Sequence, residues 1–279
     1  MCERANLRDV SADVDAVNRP VWSGDDALGW FQRAEGWIDD GERGALLTVA
    51  PEVRGQPLLD VGVGGGRTTS LLRLLSDDYL AVDYSPAMVE LCHRNHPDVD
   101  VRLGDARALD LPDGHFGLVL FSFNGIDAVG RADRARVLAE LFRVTRPGGL
   151  ALVSTINKDG PLYRHRPWRL LQLSEPASYQ LVRLLIALPV RAPMYARGFR
   201  NWRRVRPLAE DHGGWAMAPL AAHEFSLLVH YTTLAQAFDD VGAAGFTVVT
   251  ALGNDGRPVH PGEGSTDVAS FQLILRRPV

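Results

Sequence analysis

Between residues 56 and 153 short apolar runs alternate with stretches whose apolar residues recur at helical spacing. The runs are Pro57 to Val61, Tyr79 to Val82, Val99 to Leu103, Leu118 to Phe123 and Leu150 to Thr155. Between them, Thr68 to Leu75, Pro86 to Asn95 and Arg131 to Val144 read as helices. Strands that alternate with helices need crossover connections. The pattern therefore predicts a doubly wound α/β core, a mostly parallel sheet covered on both faces. Further on, Leu234 to Val241 predicts a helix and Phe246 to Leu252 a strand. Val268 to Arg276 predicts another strand, after a loop rich in glycine and proline.

Two segments break the alternation, which divides the chain into three parts. Residues 1–55 read as a helical N-terminal leader, with Trp30, Phe31 and Trp37 along one possible helix face and Pro51 as the expected stop. Residues 157–230 mix polar and aromatic residues around one amphipathic run, Pro176 to Leu188, and read as a cap inserted into the core. Residues 56–156 and 231–279 are then the core itself.

Composition narrows the function classes. The 279 residues are 46% hydrophobic and 23% charged, ordinary values for a folded globular chain. A net charge of −4 removes the simplest electrostatic case for a nucleic-acid binder, so nucleic acid is disfavoured as a partner. The cap departs from the mean: it carries eleven Lys/Arg against five Asp/Glu, +6, while the rest of the chain stands at −10. Two cysteines, Cys2 and Cys92, make neither a disulfide framework nor a four-sulfur zinc site. Cys92, His93 and His96 fall in one predicted helix without further ligands nearby, so they read as helix surface and no metal is expected. The first residues lack an apolar signal core. The most apolar segment, Leu181 to Val190, is interrupted by Arg183 and Pro189 and is shorter than a membrane span. A cytoplasmic protein without a membrane role is the expectation.

The sharpest local signal is the stretch from Leu58 to Thr68, LLDVGVGGGRT, an apolar strand running through glycines into a helix. Glycines let backbone approach a ligand closely, and the helix start offers unpaired N–H groups. The spacing is G-x-G-x-G. Arg67 occupies the position where a dinucleotide fingerprint would place its last glycine, which weighs against NAD. The second run ends at Asp83, where a carboxylate can accept both hydroxyls of a ribose. The third ends at Gly104-Asp105-Ala106, which puts another acid at the same sheet edge. Two acids after successive strands suit an adenosyl ligand that lacks a pyrophosphate, although either acid alone could be a helix cap.

These segments resemble the class I S-adenosylmethionine-dependent methyltransferases of small molecules. The resemblance is carried by LLDVGVGGGRTT (58–69), AVDYSPAMVE (81–90), GDARALDLPDGHFGLVLFSFNGID (104–127) and RVTRPGGLALVST (143–155), and it extends from about residue 30 onward. It implies a seven-stranded sheet with an antiparallel last strand and S-adenosylmethionine as cofactor. By position it implies that Asp60, Gly62, Gly64 and Gly66 surround the methionine part and that Asp83 takes the ribose. Tyr84 and Met88 would then flank the adenine, Asp105 and Ala106 would read its amino edge, and Phe121 to Asn124 would face the sulfonium. Trp30 and Phe31 either close over the cofactor or serve as helix core.

Methyl transfer from a sulfonium asks mainly for positioning, and a general base matters most when the acceptor is a hydroxyl or a protonated amine. The candidate bases are His223 first, which lies in a cap pattern shared with such relatives, then His230 and His165. The resemblance implies a histidine in several such relatives where this chain has Ile156, so no role of that histidine carries over. Asn124 either orients an acceptor or shapes the Asn-Gly turn. The arginines at 197, 200, 203, 204 and 206 fit a solvated face, a site for an acidic group, or phosphate contacts. The favoured expectation is a methyltransferase acting on a small-molecule acceptor. The alternatives are an RNA or protein methyltransferase docking through the basic cap, and a non-catalytic adenosyl-ligand binding module.

Overall fold

The computed structural model describes residues 10–34, 36–167, 192–262 and 265–279. The leader forms three helices, α1 (Val10–Trp22), α2 (Asp25–Arg33) and α3 (Asp40–Val53). Asp39 caps α3 by accepting the Glu42 N–H at 2.7 Å, and Asp40 and Glu42 place negative charge in its first turn. Pro51 was expected to end this helix, but it runs on to Val53. Proline removes one N–H, and so near the last turn it costs a single bond rather than the helix. Trp37, expected on the same helix face as Trp30 and Phe31, lies between α2 and α3.

The core follows as β1 (Leu58–Val61), α4 (Thr69–Arg73), β2 (Tyr79–Asp83), α5 (Pro86–Asn95), β3 (Asp100–Leu103), β4 (Phe116–Phe121), α6 (Arg131–Val144) and β5 (Thr145–Ile156). It is completed by α9 (Leu234–Ala243), β9 (Thr247–Gly253) and β10 (Ser270–Arg276). The seven strands lie in the order β3-β2-β1-β4-β5-β10-β9, parallel except β10, which runs antiparallel to both neighbours. This is the seven-stranded sheet with an antiparallel last strand that the family resemblance implies.

The inner strands of the sheet are buried on both faces, which explains why they read as continuous apolar runs rather than alternating ones, whereas the edge strands β3 and β9 are partly exposed. Leu59, Val61, Val119, Phe121 and Val153 face α6 and α9, packing with Val137, Leu141, Leu234 and Val241. Leu58, Leu118, Leu120 and Leu152 face the other way, onto Ala45, Val49, Leu72 and Cys92. Each fully buried leucine contributes roughly 1.5–3 kcal/mol.

The described part of the cap comprises α7 (Pro161–Arg164), the helical residues 192–205, here α8, and a three-stranded antiparallel sheet. Its strands are β6 (Glu210–Asp211), β7 (Trp215–Pro219) and β8 (Leu228–Thr232), in that order. β8 crosses the expected boundary between 230 and 231 and bridges to Asn157 at the end of β5. The amphipathic run Pro176 to Leu188 lies outside the described residues.

Candidate active site

The parallel strands β1, β2, β3 and β4 deliver their carboxyl ends to one edge of the sheet, where open α/β sheets hold ligands. A cavity of about 400 Å³ lies there. Gly62, Gly64, Asp83, Tyr84, Met88, Asp105, Ala106, Phe121 and Asn124 line it, and from the cap so does His223. Residues more than a hundred positions apart in sequence thus share one space.

The loop after β1 reaches this edge through left-handed glycines. Gly62 has φ +67° and Gly64 φ +57°, and a side chain at either would strike the Phe121 or the Phe31 ring. Asp83, at 6% exposure, is held by two backbone donors: the Gly64 N–H to Oδ2 and the Ser85 N–H to Oδ1, both at 2.9 Å. Burial outweighs these bonds and raises its pKa to about 6.

Asp105 is engaged by Arg107. Its oxygens accept from the backbone N–H, Nε and Nη2 of that residue, Nε reaching both of them, so that a carboxylate's roughly four acceptor positions are all engaged. Arg107 also donates to Asp15 of α1 and Asp133 of α6, each at 2.9 Å, and so ties the leader to the adenine end expected from sequence.

Asp60 and Gly66 are not among the residues that line the cavity. The Asp60 carboxylate is buried beneath the loop and accepts from Thr68 Oγ1 at 2.6 Å and Tyr79 OH at 3.0 Å, and burial raises its pKa to about 6. At Gly66 a Cβ would stand 2.4 Å from the His96 ring, so this glycine permits the close packing of α5 on the loop. Cys92 and His96 are buried in that contact rather than exposed on a helix surface, and His96 meets the Gly66 carbonyl at 3.1 Å. Among the described residues no group of three or more His, Cys, Asp or Glu could hold a metal.

The turn after β4 is strained. The apolar run was expected to continue to Phe123, but the strand ends at Phe121 because Phe123 (φ +51°) and Asn124 (φ +62°) are both left-handed. Such residues cost on the order of 1–3 kcal/mol each and persist where their surroundings over-determine them. Here the Asn124 N–H donates to Ser154 Oγ at 2.6 Å, Trp30 stacks on Phe123 at 5.1 Å, and the Arg67 guanidinium lies 4.8 Å from the same ring. Arg67 is itself only 3% exposed. It makes two 2.8 Å bonds to Glu42 (2% exposed) and donates to the Trp37 carbonyl and Ser122 Oγ. The residue noted in the sequence only as a missing glycine thus joins leader, glycine loop and turn.

The histidines part company. His223 lines the cavity, its ring edge-on to Trp22 at 5.3 Å, and burial lowers its pKa. His230 is fully buried in β8 against Trp215, with neither ring nitrogen hydrogen-bonded. Burial, with help from Arg134 and Arg131, drives its pKa down to about 2. His165 is exposed beyond α7, and neither it nor His230 lines the cavity. Trp30 stands behind Phe123, whereas Trp22, Phe31 and Trp37 line the cavity. Within the arginine cluster, Arg197 makes a two-bond pair with Glu224 at 2.9 Å, and Arg203 and Arg206 lie over Phe199 and Trp202.

Residues 58–149 match the family model described as a methyltransferase domain. A demethylmenaquinone methyltransferase from Renibacterium salmoninarum is 39% identical over 112 residues, 40% of this chain and 46% of that one. A malonyl-[acyl-carrier protein] O-methyltransferase from Serratia marcescens is 34% identical over 118 residues, 42% of this chain and 44% of that one. The chain therefore spans less than half the length of these relatives. Over the whole fold, the crystal structure of Burkholderia thailandensis 1,6-didemethyltoxoflavin-N1-methyltransferase, with bound 1,6-didemethyltoxoflavin and S-adenosylhomocysteine, superposes with TM-score 0.59. It is 15% identical and covers 99% of this chain and 94% of that one. No helix among the described residues is long and apolar enough to cross a membrane.

Proposed function

With residues 58–149 a class I S-adenosylmethionine-dependent methyltransferase domain, we propose that the whole chain transfers the methyl group of that cofactor to a small-molecule acceptor. The observation that carries the reading is the shared cavity: the glycine loop and Asp83 line it together with His223 and apolar side chains from leader and cap. S-adenosylmethionine supplies, when bound, a methyl carbon made electrophilic by its sulfonium.

The donor set fits that ligand. Asp83 is prepositioned by the Gly64 and Ser85 N–H groups and keeps lone pairs for two ribose hydroxyls. Tyr84 and Met88 would flank the adenine, Ala106 and Asp105 would lie at its amino edge, and Phe121, Ser122 and Asn124 would face the reacting carbon; all of them line the cavity. Positioning of two reactants in a dry site is worth on the order of 7–11 kcal/mol, more than a general base adds. Burial disfavours the charged form of His223, so the imidazole that lines the cavity is neutral at neutral pH.

Isothermal titration with S-adenosylhomocysteine tests the cofactor site, and absence of binding would remove the reading. His223→Ala is expected to cut turnover roughly 100-fold while leaving affinity for S-adenosylhomocysteine within about twofold. The assay is product formation over a panel of phenols, quinones and amines; equal loss of turnover and affinity would return His223 to a packing role. A second expectation follows from Asp83. Its pKa of about 6 means that acid protonates it and removes the ribose acceptor. S-adenosylhomocysteine affinity should therefore be constant above about pH 7 and fall by up to tenfold per pH unit below pH 6. Asp83→Asn should flatten that dependence, and an unchanged acid limb in the variant would assign it to another group.

A further inference from the structure

The cavity carries a donor from the leader and an acceptor from the turn after β4 that the chain leaves without partners. Trp22 Nε1 and Asn124 Oδ1 are both buried, both without a hydrogen bond, and both belong to residues that line the cavity. Buried polar atoms are nearly always paired, so two unpaired groups of opposite sense in one cavity mark a place where a ligand completes the bonding. A hydroxyl is the smallest group that satisfies both, since it accepts from an indole N–H and donates to a carboxamide oxygen.

The surroundings restrict the rest of the ligand. Ile156, Leu162, Leu220, Leu227 and Val229 line the cavity and form one apolar cluster in which Trp22 packs. The cations that line the cavity are already committed. Arg67 is bonded to Glu42, Trp37 and Ser122, and Arg107 to Asp15, Asp105 and Asp133. Among the described residues no other lining side chain is an arginine or lysine, so an anionic acceptor would lose its hydration without gaining a counter-charge. His223, edge-on to Trp22, is kept neutral by burial and adds no charge.

We propose, resting on the methyltransferase reading above, that the acceptor is an uncharged, largely apolar hydroxyl compound of the aromatic-alcohol class. Trp22 Nε1–H and Asn124 Oδ1 together read its hydroxyl. Trp22, from the leader, is then a specificity-determining residue of a site otherwise built by core and cap.

The test is calorimetric and needs no turnover. Protein saturated with S-adenosylhomocysteine is titrated with 2-naphthol and with 2-naphthoate, which share the ring and differ in charge. The naphthol should bind at least tenfold more tightly than the naphthoate. Trp22→Phe, which keeps a ring and removes the N–H, should weaken naphthol roughly fivefold. Asn124→Gly, which tolerates the left-handed backbone and removes the oxygen, should do the same. Both should leave affinity for S-adenosylhomocysteine within twofold, which also reports that they fold. Equal or tighter binding of the naphthoate, no binding of the naphthol, or unchanged naphthol affinity in both variants would overturn the proposal. Failure of S-adenosylhomocysteine itself to bind would instead strike the underlying reading.

Discussion

Asp83→Ala is expected to weaken S-adenosylhomocysteine binding at least about 100-fold, the loss of two hydrogen bonds to a charged acceptor at about 1.5–3 kcal/mol each. The effect is large because the carboxylate is fixed before any ligand arrives. The Gly64 and Ser85 N–H groups hold one oxygen each, so little ordering remains to be done on binding. The same bonds make Asp83 a brace for the glycine loop, and alanine leaves two backbone donors unpaired. Asp83→Asn keeps the shape and one acceptor oxygen, gives up the charge, and sets its NH2 against one of the two backbone donors. It should lose at least tenfold in affinity and lower the melting temperature less than alanine does. Full affinity in both variants, measured by isothermal titration, would place the ribose elsewhere.

The second large effect concerns stability. Arg67 and Glu42 form a buried pair with two 2.8 Å bonds, and removing one partner strands a charge in the interior. Arg67→Met and Glu42→Leu should each destabilise by about 3–5 kcal/mol, read from urea unfolding. The double variant should recover most of that, because an apolar pair of similar volume often replaces a buried ion pair at little cost. Turnover should not recover with stability. Arg67 also donates to Ser122 Oγ and lies over Phe123, and the double variant leaves the left-handed turn at Phe123 and Asn124 without that support. Additive single effects would show that the two side chains do not act as a pair.

The sheet was legible because its inner strands are buried on both faces, so that they read as apolar runs and the crossovers between them as helices. The edge was legible too. Gly62, Gly64, Asp83, Asp105 and Asn124 all reach the cavity, because their positions follow directly from where strands end. What the sequence concealed depends on contacts between distant segments. The Arg67–Glu42 pair spans 25 positions and the Arg107–Asp15 bond 92, and neither spacing is periodic. Asp60 and Gly66 sit inside the motif yet serve packing, since the loop needs an internal brace and a close approach to α5 as much as it needs a ligand face. The antiparallel sheet of the cap escaped notice because β6 has two residues and β7 and β8 five each, with turns of mixed composition between them. Trp22 drew no attention beside Trp30, Phe31 and Trp37, although it is the leader tryptophan that meets His223.

The most direct measurement is a crystal structure of the protein grown with S-adenosylhomocysteine. The account predicts density for the ligand along the glycine loop, with its ribose hydroxyls on the Asp83 carboxylate, its adenine between Tyr84 and Met88, and its sulfur turned toward Asn124 and His223. A ribose bound away from Asp83, or a ligand whose sulfur points away from the His223 side of the cavity, would contradict it.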